Sequence, residues 1–254
     1  MVAGAAQAET CWNGVQAELA LVSSNQDWRE FNTQGKQLVL ESGILQGPRV
    51  GLQTVCNAWQ IRWDGQWLGG ERSYEGQTNG GVPATSRSSI ASRNWGFELA
   101  YALSANWALL GRIAQQHIQR TVADTPSASG FSESFDWSQW QFGLVAQWPV
   151  AQGQFQVRAL WGEALDAGMQ LQLAGKDTAY LNLGPVHSQQ LQLSWSVPIA
   201  ASWEVSVGGV FERTSLGPGA PSALYQNGVP VVVAQQPRTE WRQTPLQFGL
   251  IKRF

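Results

Sequence analysis

Apolar and polar residues alternate with a period of two in about ten segments of the chain. Trp95, Phe97, Leu99, Tyr101 and Leu103 are separated by Asn94, Gly96, Glu98, Ala100 and Ala102. Trp140, Phe142, Leu144, Ala146 and Trp148 alternate with Gln139, Gln141, Gly143, Val145 and Gln147. The same rhythm runs through Trp59–Gln66, Gln190–Val197 and Trp203–Glu212. Successive side chains on a strand point to opposite faces, so each segment predicts a strand with one apolar and one polar face. No segment carries a helical period.

The connections alternate in length. Short turns are expected near Cys56–Ala58, Ser104–Asn106, Ala151–Gly153 and Ile199–Ser202. Long polar loops are expected over Arg29–Lys36, Glu75–Ser89, Ala123–Glu133, Ala167–His187 and Ser215–Pro237. An up-and-down sheet puts every second connection at the same end, so one end has short turns and the other long loops. Asn227-Gly228, between two apolar runs, signals a type I′ hairpin inside the last loop. There is no domain boundary within residues 11–254.

Alternation alone does not say which face is inside, because soluble barrels alternate too. Composition decides it. Only 13% of residues are charged, against about 25% in an ordinary soluble domain. Lysine occurs three times, at Lys36, Lys176 and Lys252. The polar face is Gln, Ser, Gly, Ala and Arg, which is a poor water-facing surface. The apolar face ends in tryptophans. Trp12, Trp59, Trp107, Trp148 and Trp203 lie beside the short-turn end, and Trp28, Trp67, Trp95, Trp137 and Trp140 toward the long-loop end. Two aromatic belts around an aliphatic band mark two membrane–water interfaces. Trp140 and Trp148 stand eight residues apart, or roughly 20 Å along the normal at a 40° tilt. The prediction is an all-β, closed antiparallel transmembrane barrel of about ten strands. Lipid tolerates no open sheet edge, so the first strand must pair with the last. A net charge of −2 excludes a phosphate-gripping nucleic-acid surface.

Met1–Thr10 contains Ala6-Gln7-Ala8, the small-x-small form of a leader cleavage site. A leader remnant and a plain disordered tail are both compatible with it. The two cysteines, Cys11 and Cys56, make no metal set. A first hairpin turning at Asn32-Thr33-Gln34-Gly35 would oppose Cys11 to Cys56 and Glu18 to Arg49. A disulfide and two free thiols both remain open readings, since one residue of register separates them.

The C-terminus, Gln247-Phe248-Gly249-Leu250-Ile251-Lys252-Arg253-Phe254, resembles the assembly signal of bacterial outer-membrane barrels, with Gln247, Gly249 and Phe254 matching. Lys252 departs from that pattern. Leu40–Gly47, Tyr74–Pro83 and Gln236–Glu240 are similar to segments of a proteobacterial group of ten-stranded barrels. The resemblance implies short periplasmic turns, long extracellular loops, a bacterial outer-membrane location, and outer-membrane lipid and the barrel assembly machinery as partners. It implies no activity.

The face opposite the tryptophans carries Glu18, Glu41, Asp64, Glu98, Glu204 and Glu212 together with Arg49, Arg62, Arg112, Arg120 and Arg158. Arginine binds carboxylate bidentately and suits enclosed pairs. A ten-stranded barrel is little wider than an eight-stranded one, whose side chains fill it. The expectation is a charge-paired, largely occluded lumen, with a narrow pore as the alternative. No cofactor, metal or catalytic set is expected. Size resembles the omptin proteases, but Asp27-Trp28-Arg29-Glu30, Glu75 and Asp177 do not reproduce their paired acids and Asp–His pair. Lipid A deacylases and outer-membrane phospholipases find no matching His–Ser motif either. His117 has the apolar parity, and neighbours His187 and Ser188 must face opposite ways. The loops offer Tyr74, Tyr180, Tyr225 and Phe131 for contact. A structural, surface-binding or assembly role with an envelope partner leads, followed by a narrow channel and then a surface hydrolase.

Overall fold

The computed structural model describes residues 14–77, 81–126 and 129–254. Among them there is no helix and there are thirteen strands. They are β1 (Gln16–Phe31), β2 (Gln37–Cys56), β3 (Trp59–Gln77), β4 (Pro83–Ala102), β5 (Trp107–Val122), β6 (Phe131–Val150) and β7 (Gly153–Leu173). Then follow β8 (Ala179–Asn182), β9 (Val186–Ala200), β10 (Trp203–Leu216), β11 (Ser222–Gln226), β12 (Val229–Ala234) and β13 (Arg238–Arg253). Ten of them close a ring in the order β1-β2-β3-β4-β5-β6-β7-β9-β10-β13. β13 returns antiparallel to β1, from Gln16 opposite Arg253 to Phe31 opposite Arg238. The first barrel strand therefore pairs with the last, and no edge is left open.

The short-turn end is as the alternation predicts, with tight reversals at Asn57–Ala58, Ala151–Gln152 and Ala201–Ser202. At the other end the strands run further than expected. β1 continues to Phe31, β3 to Gln77 and β7 to Leu173, through stretches rich in Gly, Ser and Gln. A polar segment that keeps its ladder partners has no reason to leave the sheet in water. The last loop forms the ribbon β11–β12, turned by Asn227 and Gly228, both at positive φ as type I′ requires.

The first hairpin is a correction. Glu18 pairs with Gly51 and Ala20 with Arg49, so Glu18 does not face Arg49. The loop runs from Asn32 to Lys36, where the Asn32 side-chain oxygen accepts from the amides of Gln34 at 3.0 Å and Lys36 at 2.8 Å. The slip is two residues, so every side chain keeps its face. Cys56 is disulfide-bonded. Cys11, Trp12 and the leader segment lie outside the described residues.

Trp59, Trp107, Trp148 and Trp203 point outward near the short turns, and Trp67, Trp95 and Trp140 point outward higher up, all exposed. Leu19, Leu21, Phe97, Leu109, Ile113, Phe142, Leu193 and Phe248 fill the band between them. Trp28 and Trp137 do not belong to the upper belt. They are only 1% and 2% exposed, packed inside with Trp241 and Phe135. Both share the parity of inward charges, Trp28 with Glu18 and Trp137 with Glu133. β3 runs ten residues past Trp67, which lifts the wall roughly 25 Å above the belt at 3.3 Å per residue and 40° tilt.

Candidate functional site

The inward face of β5 reads, climbing from the turn end, Leu110, Arg112, Ala114, Gln116, Ile118, Arg120 and Val122. Each step meets a layer from the other strands. Lowest is an apolar plug of Ala100, Leu110, Val145 and Leu160. Above it lies the first ion layer. Arg62 pairs with Glu18 at 2.7 Å, Arg158 with Glu98, and Asp64 with both Arg112 and Arg49, the latter at 3.6 Å. Arg49 also donates to the Gln247 side chain at 2.7 Å. Gly96 stands between Asp64 and Ala114 in the ladder, and a Cβ there would strike the Arg112 guanidinium. Its missing side chain lets Arg112 reach Asp64.

Over this layer Asn94, Gln116, Gln139, Gln141 and Glu212 line a polar cavity of about 70 Å³. Glu212 shares it with Arg112, while Glu204 pairs with Arg253 near the turn end. A second ion layer sits higher, above the level of the upper belt. Arg120 contacts Glu30 at 2.9 Å, Glu41 at 2.7 Å and Glu133 at 2.6 Å. Arg72 adds a 3.7 Å contact to Glu41 and donates to Gln26. Arg120 also stacks 5.6 Å from the Trp28 ring, whose indole donates to Glu30. Three carboxylates thus share two guanidiniums. Glu133 stands seven residues beyond Trp140 on β6, outside the membrane-spanning part. Burial pushes its carboxyl up to about 7, with Arg120 pulling the other way and Glu30 and Glu41 adding to the rise.

All eleven charges expected in the lumen face inward: nine form the two ion layers, Glu212 lines the cavity between them and Glu204 lies near the turn end. Glu30, Arg72 and Glu133 were missed. Their parity pointed inward, but Glu30 and Glu133 fell within presumed loops. The two histidines face outward. His117 Nδ1 lies 2.6 Å from Asp136 and His187 Nδ1 3.3 Å from Glu163. Ser188 is buried inside, away from His187. The hydroxyl beside His187 is instead Ser215, its pairing partner on β10. Sequence order hides this row, since only the β9–β10 register reveals it. Asp177 holds the ribbon, accepting from the Gly228 amide at 3.1 Å while its own amide donates to Tyr225 at 2.9 Å.

No known sequence family matches the chain, and neither does any curated protein. Solved structures do match. The outer membrane protease OmpT from Escherichia coli superposes with a TM-score of 0.63 over 95% of this chain and 97% of its own, at 9% identity. The translocator domain of the autotransporter NalP from Neisseria meningitidis superposes with a TM-score of 0.52 over 97% and 90%, at 11% identity. These likenesses show a shared fold. Together with the outward apolar band between two tryptophan belts, they settle the class. The chain is an outer-membrane β-barrel.

The mouth of the barrel at its long-loop end contains a cavity of about 620 Å³. Phe131, Leu171, Leu173, Leu224, Val232 and Val233 give it an apolar wall, and Tyr74, Gln77, Ser86 and Gln235 add polar groups. Beneath it Arg120 lies 5.5 Å from the Phe131 ring, so the upper ion layer is its floor. The ribbon supplies Leu224, which is buried in the upper core. Tyr225 and Tyr180 are exposed at the rim.

Proposed function

We propose that the protein is a filled, non-conducting barrel that acts through its extracellular end, as a surface-binding or assembly element. The observation that carries this reading is Arg120. One side chain ties β5 to β1, β2 and β6 across the lumen. A conducting pore calls for an open axis lined by one sign of charge. The mouth cavity above has the size and mixed lining of a small-ligand site. Gln247, Gly249 and Phe254 would present the final strand to the assembly machinery. Planar-bilayer recording tests the filled lumen. The native protein should give no steady openings, and Arg120→Ala/Arg72→Ala should give frequent ones. Steady porin-sized openings from the native protein would make it a channel.

A second reading, as a surface hydrolase, draws on the row Glu163–His187–Ser215. It places a carboxylate, an imidazole and a hydroxyl on one outward face of three neighbouring strands. Hydrolysis of a short-chain p-nitrophenyl ester, lost in both His187→Ala and Ser215→Ala, would support it. Equal rates in all three proteins would dismiss it.

A further inference from the structure

The outward faces of β1, β13 and β10 carry a patch that the barrel's internal pairing does not absorb. Asp27 pairs with Arg242, Arg29 with Glu240 and Phe31 with Arg238 across one ladder. Arg213 pairs with Arg242 and Ser215 with Glu240 across the next. Arg213, Arg242 and Arg238 all lean on the one carboxylate of Glu240, at 3.1, 3.3 and 3.8 Å. Arg29 turns instead to Asp27 at 3.3 Å. Four guanidiniums therefore face two carboxylates, an excess of two positive charges. Glu240 is largely covered by its partners, while the three arginines around it keep two-fifths or more of their side-chain surface open. Each guanidinium has five N–H donors, so one shared carboxylate leaves most of them unused.

The height of the patch selects its ligand. On β10 the last outward apolar residue is Phe211, and Arg213 is the next outward position. On β13 Leu246 and Phe248 are exposed in the apolar band, and Arg242 lies four residues beyond Leu246. At 3.3 Å per residue and 40° tilt, Arg213 sits roughly 5 Å and Arg242 roughly 10 Å above the hydrocarbon edge, while Arg238, four residues beyond Arg242, stands about 10 Å higher still. The first two therefore span the headgroup layer, about 5–8 Å thick on each side of a bilayer, up to its outer edge. Elsewhere at this level, His117 pairs with Asp136 and His187 with Glu163, and Arg93, opposite His117, is a single exposed arginine rather than a cluster.

We infer that Arg213 and Arg242, held together through Glu240, form a binding site for the phosphate of an anionic lipid in the outer leaflet. The guanidinium fork matches phosphate oxygens bidentately. Leu246, Phe248 and Phe211 lie directly below, where the acyl chains of the same lipid would run. Glu240 orients both arginines and competes with the phosphate for them. The site is independent of what the mouth binds and of whether the lumen conducts.

The test uses the purified barrel in detergent micelles, titrated with diphosphorylated lipid A and with its dephosphorylated form. The readouts are native mass spectrometry and fluorescence-detected binding. The native protein should prefer the phosphorylated lipid at least tenfold. Arg213→Gln/Arg242→Gln should lose that preference, while Glu240→Gln should strengthen it and Arg87→Gln leave it unchanged. Retained heat-modifiable migration shows that each variant is folded. Because the two patch variants move binding in opposite directions, misfolding cannot imitate the result. Equal affinity for both lipid forms in the native protein would overturn the inference. So would full competition by inorganic phosphate at the lipid's concentration, which would make the site one for a free anion.

Discussion

Arg120 on β5 reaches Glu41 on β2 at 2.7 Å, joining residues 79 apart in sequence across the barrel. Neither side chain has measurable contact with solvent beyond 2%. Removing one member of a buried ion pair strands the other, which typically costs about 3–5 kcal/mol. Arg120→Met should therefore lower the unfolding free energy, measured by urea titration in lipid micelles, by an amount of that order. A loss below about 1 kcal/mol would mean that the layer relaxes without it.

Glu133 should leave a signature in pH. Its folded value is raised from 4.5 to about 7, so between those values the folded state holds more protons than the unfolded one. Stability contributed by this group is present at low pH and declines as pH rises through that window. Glu133→Gln should flatten the decline, and unfolding midpoints measured from pH 4 to 8 would show it. An unchanged slope in the variant would assign the pH dependence elsewhere.

Gly96→Ala should act on Arg112 rather than on the sheet. The added methyl meets the guanidinium that bridges to Asp64. Overpacking of this kind costs about 1–3 kcal/mol. Combining it with Arg112→Ala should remove most of that cost, because the obstacle is gone. Additive losses in the double variant would contradict this origin.

Asp177→Ala should free the β11–β12 ribbon from the mouth without unfolding the barrel. Asp177 accepts from Gly228, beside an exposed run of Val229, Val231, Val232 and Val233. Limited proteolysis should cut between residues 217 and 237 faster in the variant, while heat-modifiable migration stays the same. Equal cutting rates would show that Leu224 in the upper core is a sufficient anchor.

Period-two alternation made the barrel, its short-turn end and the orientation of its charged stripe readable from the residues. What it obscured follows from reading residue type ahead of parity. Trp28 and Trp137 look like belt tryptophans, yet they share faces with Glu18 and Gln141 and lie inside. Glu30 and Glu133 are hidden because a polar run has the composition of a loop, although its ladder continues. Contacts such as Arg120 to Glu30 and Arg72 to Gln26 depend on how the sheet curves. Curvature has no counterpart in a one-dimensional pattern. The row Glu163–His187–Ser215 needed the pairing register, which loop lengths fix and hydrophobic spacing does not.

The most direct test of which face meets lipid is a nitroxide scan along β5, from Ala108 to Ala114, in liposomes and in a Cys11→Ser/Cys56→Ser background. Labels at Leu109, Gly111 and Ile113 should collide freely with oxygen dissolved in the acyl region, and those at Leu110, Arg112 and Ala114 should be shielded. High oxygen accessibility at the even positions and protection at Leu109 and Ile113 would contradict the account.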